Sequence, residues 1–179
     1  MTSLRSEDAT KTRILLRAIL PVALLLASVA NMLGQARGGA PGFRAYPAEF
    51  TFHGRNATPK FATAANSWPD GDPRFRESIA SQIAIGPNFA GAFTVAQTTC
   101  GTGCSYAVIV DNRTGRIFED LPFKMLVISP QSSHRGLLFR RSSRLLVVEG
   151  AVDEKRPTRS YYEWSDGHLH LIFSKNIAP

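Results

Sequence analysis

The chain has 179 residues, of which 44% are hydrophobic and two are cysteines, and its formal net charge is +7. This length supports one domain with its own core but is too short for a closed β-propeller. A basic chain often binds nucleic acid, but the export signal described next argues against that partner. For an exported basic chain, the expected partner is an anionic envelope component or an acidic protein. The alternative is that the charge only keeps the surface solvated.

Residues 1–36 have the features of a secretory signal peptide. Four basic residues precede an apolar run, Ala18–Leu33, which is shorter than the roughly 20 residues of a membrane span. Small residues predict cleavage near Ala30 or Ala36. If the segment is instead retained, it anchors the domain to a membrane by its N-terminus. Either way, we expect an exported protein that is periplasmic or secreted.

Residues 37–70 are rich in Ala, Gly, Pro, Asn and Thr, which predicts a linker and an irregular lead-in to a single globular domain over residues 71–179. The stretch DPRFRESIASQIAIGP then predicts a helix. Asp72 is a good N-cap, Pro73 suits the first helical position, and a Gly-Pro pair ends the helix. Its apolar stripe consists of Phe75, Ile79 and Ile83.

After the helix, the pattern changes to short strands that alternate with turns. The segments AFTVAQT, SYAVIVD, GRIFEDL and KMLVIS come first, followed by hairpins in GLLFRRSSRLLVVEG and RSYYEWSDGHLHLIFS. SYAVIV and LLVV are apolar on both faces, which places them in the middle of the sheet. No long crossover helix separates the strands, which argues against a parallel sheet. We predict a mainly β or α+β fold: an antiparallel sheet of consecutive hairpins with the N-terminal helix packed on it.

Both cysteines, Cys100 and Cys104, lie in the segment TTCGTGCSY. Four residues of extended strand span about 13 Å, whereas a disulfide requires Cα atoms within about 7 Å. The chain must therefore turn back between them, and Gly101 and Gly103 allow this because glycine adopts positive φ without steric cost. An oxidising compartment favours the bond. The preferred interpretation is a structural disulfide that pins the loop between neighbouring strands.

Two other interpretations of the cysteines are thiol exchange and metal binding. Exchange usually uses two intervening residues at a helix N-terminus, whereas here three intervene and a strand follows. A metal would need further ligands such as His168 and His170, which alternation places on one face of the last strand, opposite Leu169, Leu171 and Phe173. Oxidation of the thiols would compete with that site. Catalytic motifs are also absent from the sequence, which therefore predicts no metal, no cofactor and no catalytic residue.

An arginine-rich hairpin offers a candidate binding surface. Arginine grips phosphate and carboxylate groups with two donors at once, so the cluster would suit an anion. The alternative, which we prefer, is an edge hairpin that its charge keeps soluble and free of aggregation. The candidate residues are Arg135, Arg140, Arg141 and Arg144.

The segments GPNFAGAF, CGTGC, AVIVDNRTGRIF, SRLLVV and YYEWSDGHLHLI occur in this order between Phe75 and Phe173. Together they resemble a family of exported bacterial proteins to which no activity is assigned. The family has histidine in place of Ala92, and Trp-Gly in place of Thr98 and Thr99, so any chemistry of that histidine is not shared. The resemblance implies a periplasmic-type domain with a disulfide. The motif residues with expected structural roles are Asn88, Phe89, Gly91, Gly101, Gly103, Asp111, Gly115 and Trp164.

The preferred function is a non-catalytic binding or structural module of the cell envelope, stapled by the cysteine pair. Asn88, Phe89 and Gly91 would order the start of the first strand, and the cysteine loop with the arginine hairpin would form the contact surface. One alternative is a periplasmic enzyme that uses the cysteines or a site assembled from histidines. Another is an inhibitor or chaperone-like binder of an envelope enzyme. The histidines concerned are His53, His134, His168 and His170.

Overall fold

The computed structural model describes residues 39–61, 72–123, 125–128, 135–153 and 155–178, and the predicted export signal lies outside these ranges. Within them are one α-helix, α1 (Pro73–Ile85), and eight strands. The strands are β1 (Phe93–Gly101), β2 (Cys104–Asp111), β3 (Ile117–Phe118), β4 (Leu126–Val127), β5 (Gly136–Leu138), β6 (Leu145–Val152), β7 (Thr158–Ser165) and β8 (His168–Asn176).

All eight described strands belong to one sheet in which every pairing is antiparallel. The main order is β1-β2-β4-β6-β7-β8, with β3 beside β2 and β5 beside β6. β2 and β6, which contain SYAVIV and LLVV, lie inside the sheet as predicted. The predicted fold class, an antiparallel sheet with one helix packed on it, is confirmed.

α1 begins and ends where the sequence predicts. Asp72 accepts a hydrogen bond of 2.9 Å from the backbone N–H of Arg74, and Gly86 ends the helix with a φ of 111°. The apolar stripe packs on the β1–β2 hairpin, and each of its buried side chains stabilises the fold by about 1.5–3 kcal/mol. The contacts join Phe75, Ile79 and Ile83 to Ala96, Val108 and Val110. Within the described ranges, no helix is long and apolar enough to cross a membrane.

The main core lies on the opposite face of β1 and β2 and continues under β6 and β7. It includes Phe89, Val95, Ile109, Leu146, Val148, Tyr162 and Trp164. The intervening residues of β6 point the other way, where Leu145 and Val147 contact Phe43 and Tyr46 of the lead-in. LLVV is apolar on both faces because each face has its own cluster to fill.

The described part of the lead-in belongs to the same compact unit as the sheet, which spans Ala40–Pro179. Its backbone is irregular, with a single turn of 3₁₀-helix at Phe43–Ala45. Isolated bridges join Pro47 to Ser143 and Lys60 to Arg116. Hydrogen bonds to turns of the sheet, rather than a strand ladder, therefore hold this segment.

The faces of the last strand differ from the predicted alternation. A β-bulge interrupts the β7–β8 ladder, and Ile172 is the extra residue. Leu169 and Leu171 keep the predicted face, but Phe173 lies on the other face, with its ring centre 5.7 Å from that of Tyr161. The prediction that Phe173 shares a face with the two leucines is therefore wrong, because one inserted residue reverses the alternation beyond it.

The free edge of β1 is covered by side chains instead of by another strand. Asn88 donates to the carbonyl of Val95 (3.1 Å) and accepts from its N–H (2.8 Å). The side-chain amide of Gln82 likewise donates to the carbonyl of Gln97 (2.8 Å) and accepts from its N–H (3.0 Å). An amide side chain offers one acceptor group and one donor group, as the backbone of a neighbouring strand does. This edge is thereby satisfied and protected against pairing with another chain.

Replacing Asn88 with alanine should destabilise the domain by about 1–3 kcal/mol, because two partly buried backbone groups of Val95 lose the partners that the amide supplies. In urea unfolding we expect a lower midpoint with an unchanged m-value. The control Asn176→Ala alters an exposed asparagine of β8 and should change stability by less than about 0.5 kcal/mol. Equal stability of Asn88→Ala and the wild type would contradict the edge-covering role.

Candidate functional site

The two cysteines form a disulfide at the tip of the β1–β2 hairpin. Gly101 and Gly103 have positive φ angles of 136° and 71°. The Cα atoms of Cys100 and Cys104 lie 5.2 Å apart. The predicted reversal of the backbone is confirmed. Both cysteines of the chain are in this bond, so neither is a free thiol in this state.

The NFAG loop, Asn88–Gly91, joins α1 to β1 and is held from two sides. Its N–H groups donate to the carbonyls of Arg141 (2.7 Å) and Ser143 (3.1 Å), and the carbonyl of Gly91 accepts from Phe52 (2.9 Å). Gly91 has a φ of 79°, and a Cβ atom there would collide with a backbone carbonyl of the lead-in. Only glycine suits the position, because it combines positive φ with this close approach.

The turn after β2 is organised by Asp111. Its carboxylate accepts hydrogen bonds from the backbone N–H and the guanidinium of Arg113 at 2.8–2.9 Å, and its carbonyl accepts from the N–H of Gly115 (2.8 Å). Burial by itself would raise the pKa of the Asp111 carboxyl, but the hydrogen bonds and charge of Arg113 outweigh it, so this pKa lies below its ordinary value. The turn therefore also fixes the direction of Arg113.

The four candidate arginines do not form one patch. Arg135 lies at the opposite end of β5 from the other three. Arg140 stacks on an aromatic ring of the lead-in at 4.7 Å, and Arg141 donates to a lead-in carbonyl at 2.6 Å. Arg144 pairs with Glu163 (2.7 Å) and donates to another lead-in carbonyl (3.1 Å). The last three arginines therefore hold the lead-in to the sheet.

The three histidines that the structure describes lie in two places, the lead-in and β8. His53 is exposed in the lead-in, and His134 lies outside the described residues. His168 and His170 are exposed on β8 with ring centres 6.4 Å apart. Among the described side chains, no group of three or more His, Cys, Asp or Glu is placed to hold a metal ion.

A cavity of about 250 Å³ lies where five segments that are separate in sequence meet. Its walls are the lead-in, the NFAG loop with the start of β1, the turn after β2, the β5–β6 turn with Arg144, and the β7–β8 turn. NFAG, DNRTG and EWSDG, three of the segments that stand out in the sequence, thus border one space. Its aromatic lining consists of Phe50, Phe93 and Trp164. We refer to it as the lead-in cavity.

One wall of the lead-in cavity is an aromatic stack that includes a guanidinium. The guanidinium carbon of Arg113 lies 4.9 Å from the ring centre of Phe50 and 5.6 Å from that of Phe93. Phe93 in turn meets Trp164 edge to face, with ring centres 5.2 Å apart. Asp111 holds the guanidinium from behind at 2.8 Å. The wall is therefore organised before any ligand arrives, and it already uses ring faces to stabilise a cation.

The carboxylates at the opening of the lead-in cavity are less well compensated than its arginines. Arg144 forms its close ion pair with Glu163, at 2.7 Å. Its contact with Glu49 is longer, at 3.8 Å, and therefore weaker. The side chain of Glu49 is 70% exposed. Asp166, at the exposed tip of the β7–β8 turn, has no ion-pair partner within the described residues. In a basic chain, the surplus charge at this opening is negative.

A second cavity of about 320 Å³ lies between the start of α1 and the disulfide. It is larger, but its charged side chains satisfy each other: Asp72 and Arg74 form an ion pair at 3.1 Å. Hydrogen bonding from the Arg74 side chain holds the pKa of the Asp72 carboxyl below its ordinary value. Cys100, already in the disulfide, lines this space. The lead-in cavity, where aromatic rings adjoin the weakly paired Glu49 and the unpaired Asp166, is the better candidate site within the described residues.

Several residues of the lead-in cavity were not predicted as site residues from the sequence, namely Glu49, Phe50, Arg113 and Asp166. Glu49 and Phe50 belong to an irregular segment without periodicity, and Asp166 resembles any other turn aspartate. The usable signal was indirect: NFAG, DNRTG and EWSDG all lie at strand ends, where turns from different hairpins can meet. Of the residues given roles in the sequence analysis, Trp164 and Arg144 line the cavity.

Comparison with family models, with curated proteins and with solved structures found no match to this chain. The resemblance to exported bacterial proteins therefore stays a prediction. Any functional conclusion has to come from the geometry of the chain itself.

Acid should remove the contribution of Asp111 to stability. Its folded-state pKa is lowered, so the contribution is present above the unfolded pKa and is lost as the pH falls through the folded pKa, below about pH 4. At neutral pH we expect Asp111→Asn to cost about 1–3 kcal/mol, because a buried charged hydrogen bond is lost. Urea unfolding at several pH values checks this, with Asp120→Asn as the exposed control. A difference between the wild type and Asp111→Asn that does not shrink in acid would contradict the assignment.

Reduction of the disulfide should lower the free energy of unfolding by about 2 kcal/mol, since the closed loop is short and constrains the unfolded chain little. The ladder between β1 and β2 continues over most of their length, so the fold should persist. Intact mass after alkylation should show two modified thiols only in the presence of reductant. A Cys100→Ser/Cys104→Ser double variant should unfold alike with and without reductant. Alkylation of unreduced protein would refute the bond.

Proposed function

We propose that the chain is an exported, non-catalytic binding module, stapled by the Cys100–Cys104 disulfide, that takes its ligand in the lead-in cavity. The observation that carries the proposal is the convergence of five separate segments on one space with an aromatic wall. Ligand pockets are typically concave, largely apolar and supplied with a few well-placed polar groups. The lead-in cavity combines three aromatic side chains with arginine and carboxylate groups.

The ligand class that fits best is an organic cation on a short apolar stem, such as an ammonium or guanidinium group. The rings of Phe50 and Phe93 already hold one guanidinium, which is the chemistry that a second cation would use. Glu49 and Asp166 at the opening supply negative charge. The cavity volume, about 250 Å³, limits the bound part to a small group.

An anionic ligand is disfavoured at this site. Arg113 and Arg144 both line the cavity, but each is already bound to a carboxylate at 2.7–2.8 Å. An anion would have to displace those carboxylates and would then meet Glu49 and Asp166. The basic net charge of the chain therefore does not describe the charge at the cavity.

Two features support the exported location in the proposal. The disulfide is consistent with an oxidising compartment. The second feature is the resemblance of the NFAG, CGTGC and DNRTG segments to exported bacterial proteins, which is itself a prediction from the sequence. The disulfide lies at the far end of β1 from the NFAG loop, and Cys100 lines the second cavity, whereas neither cysteine lines the lead-in cavity. We therefore give it a structural role and place ligand binding elsewhere.

Titration with small probes tests the cavity directly. We expect n-butylguanidine to bind weakly, with a dissociation constant in the range of about 0.1–10 mM, and to shift amide resonances at the NFAG loop and the β7–β8 turn. Butyrate, the anionic probe with a similar stem, should not shift them. The double variant Glu49→Gln/Asp166→Asn should bind n-butylguanidine about tenfold more weakly.

The matched control is Glu77→Gln/Asp120→Asn, which changes the net charge equally at two exposed positions outside the cavity. It should bind n-butylguanidine as the wild type does. An equal loss of affinity in both double variants would mean that general electrostatic attraction, not the cavity, accounts for binding. Stronger binding of butyrate than of n-butylguanidine would overturn the ligand class.

A further inference from the structure

The two end strands of the sheet have opposite kinds of edge. At β1, the amides of Asn88 and Gln82 and the backbone of the NFAG loop occupy the outward N–H and C=O groups from Phe93 to Gln97. β8 ends the sheet on the other side, and within the described residues no strand pairs with its outer edge. An exposed edge strand presents unpaired backbone groups that can template pairing with another chain.

β8 also carries the longest run of exposed apolar side chains among the described residues. Eight of its nine residues are exposed. In its middle, Leu171, Ile172 and Phe173 are exposed by 59%, 38% and 36%. Consecutive apolar residues on a strand project to both faces of the sheet, so a strand added here would find apolar contacts above and below.

The charges at the two ends of β8 differ in sign. Asp166 lies in the turn that begins the strand, and Lys175 lies near its end. The loop before β7, which meets that end of β8, contains the exposed Asp153, Lys155 and Arg156, of which two are basic. A second β8 in the antiparallel direction would bring the Lys175 end of each copy to the Asp166 end of the other. A parallel copy would instead place like charges together.

We propose that the outer edge of β8 pairs with the same edge of a second copy of this chain, antiparallel and about a two-fold axis near Ile172. This arrangement places the apolar runs of the two copies side by side and brings opposite charges together twice, as an isologous two-fold interface requires. The β-bulge at Ile172 shortens the ladder that can continue across the edge. The interface is therefore small, and its dissociation constant falls in the range of about 10 μM to 1 mM.

Sedimentation of the protein over a range of concentrations tests the dimer. Leu171→Lys places a charge within the apolar run. It should raise the dissociation constant of the dimer by about tenfold or more, because a lysine on an edge strand blocks pairing. The matched control is Ile85→Lys at the end of α1, where the isoleucine is 88% exposed. It should dimerise as the wild type does. A wild-type monomer up to about 1 mM, or a dimer equally weakened by both variants, would overturn the proposal.

A crosslink fixes the position of the axis and does not depend on a destabilising change. Both native cysteines are in the disulfide, so Ile172→Cys introduces the one reactive thiol. Near a two-fold axis the two copies of residue 172 come within disulfide range. Mild oxidation should then give a covalent dimer from Ile172→Cys and none from the control Ile85→Cys. Equal crosslinking of the two variants would indicate random collision and would refute the β8 interface.

Discussion

The turn between β5 and β6 is the point on which the other parts of the structure depend, because it holds two irregular segments against the sheet at once. Ser143, only 1% exposed, lies at its centre. Its hydroxyl group donates a shared hydrogen bond to the carbonyls of Phe43 and Tyr46, with Oγ 2.9 and 2.8 Å from their oxygens. The same Oγ accepts a hydrogen bond from the N–H of Leu145 (3.1 Å). Its own carbonyl accepts from Ala90 (3.1 Å). Buried backbone groups outside regular secondary structure thereby find partners.

The lead-in cavity and its charge both follow from this anchoring. With the lead-in fixed beside the NFAG loop, Phe50 meets Arg113 and completes an aromatic wall. The arginines next to Ser143 are directed at lead-in carbonyls and at Glu163, so they hold the chain together instead of presenting a basic surface. The chain has a net charge of +7, yet both arginines that line the cavity are paired with carboxylates, and Asp166 beside them has no ion-pair partner among the described residues. Local pairing of charges, not net charge, decides what such a site attracts.

The two edges of the sheet show how side chains and not strands alone determine where a sheet ends. At β1, Gln82 of the helix and Asn88 of the loop take the place of a neighbouring strand. At β8 the final hairpin supplies the edge and nothing among the described residues covers it. Association is therefore directed to one side of the sheet. The disulfide, at the tip of the first hairpin, stiffens the structure away from both the lead-in cavity and the β8 edge.

Local patterns in the sequence determined the helix with its cap at Asp72, the hairpins, the central place of the doubly apolar strands and the bend that closes the disulfide. Each depends on residues close together along the chain, through capping, periodicity or the freedom of glycine. Only the tertiary structure decided the bulge at Ile172, the strand-like partners of Val95 and the meeting of Phe50 with Asp166 across the cavity. These depend on which distant segments come into contact, and neither spacing nor composition of a single sequence carries that information.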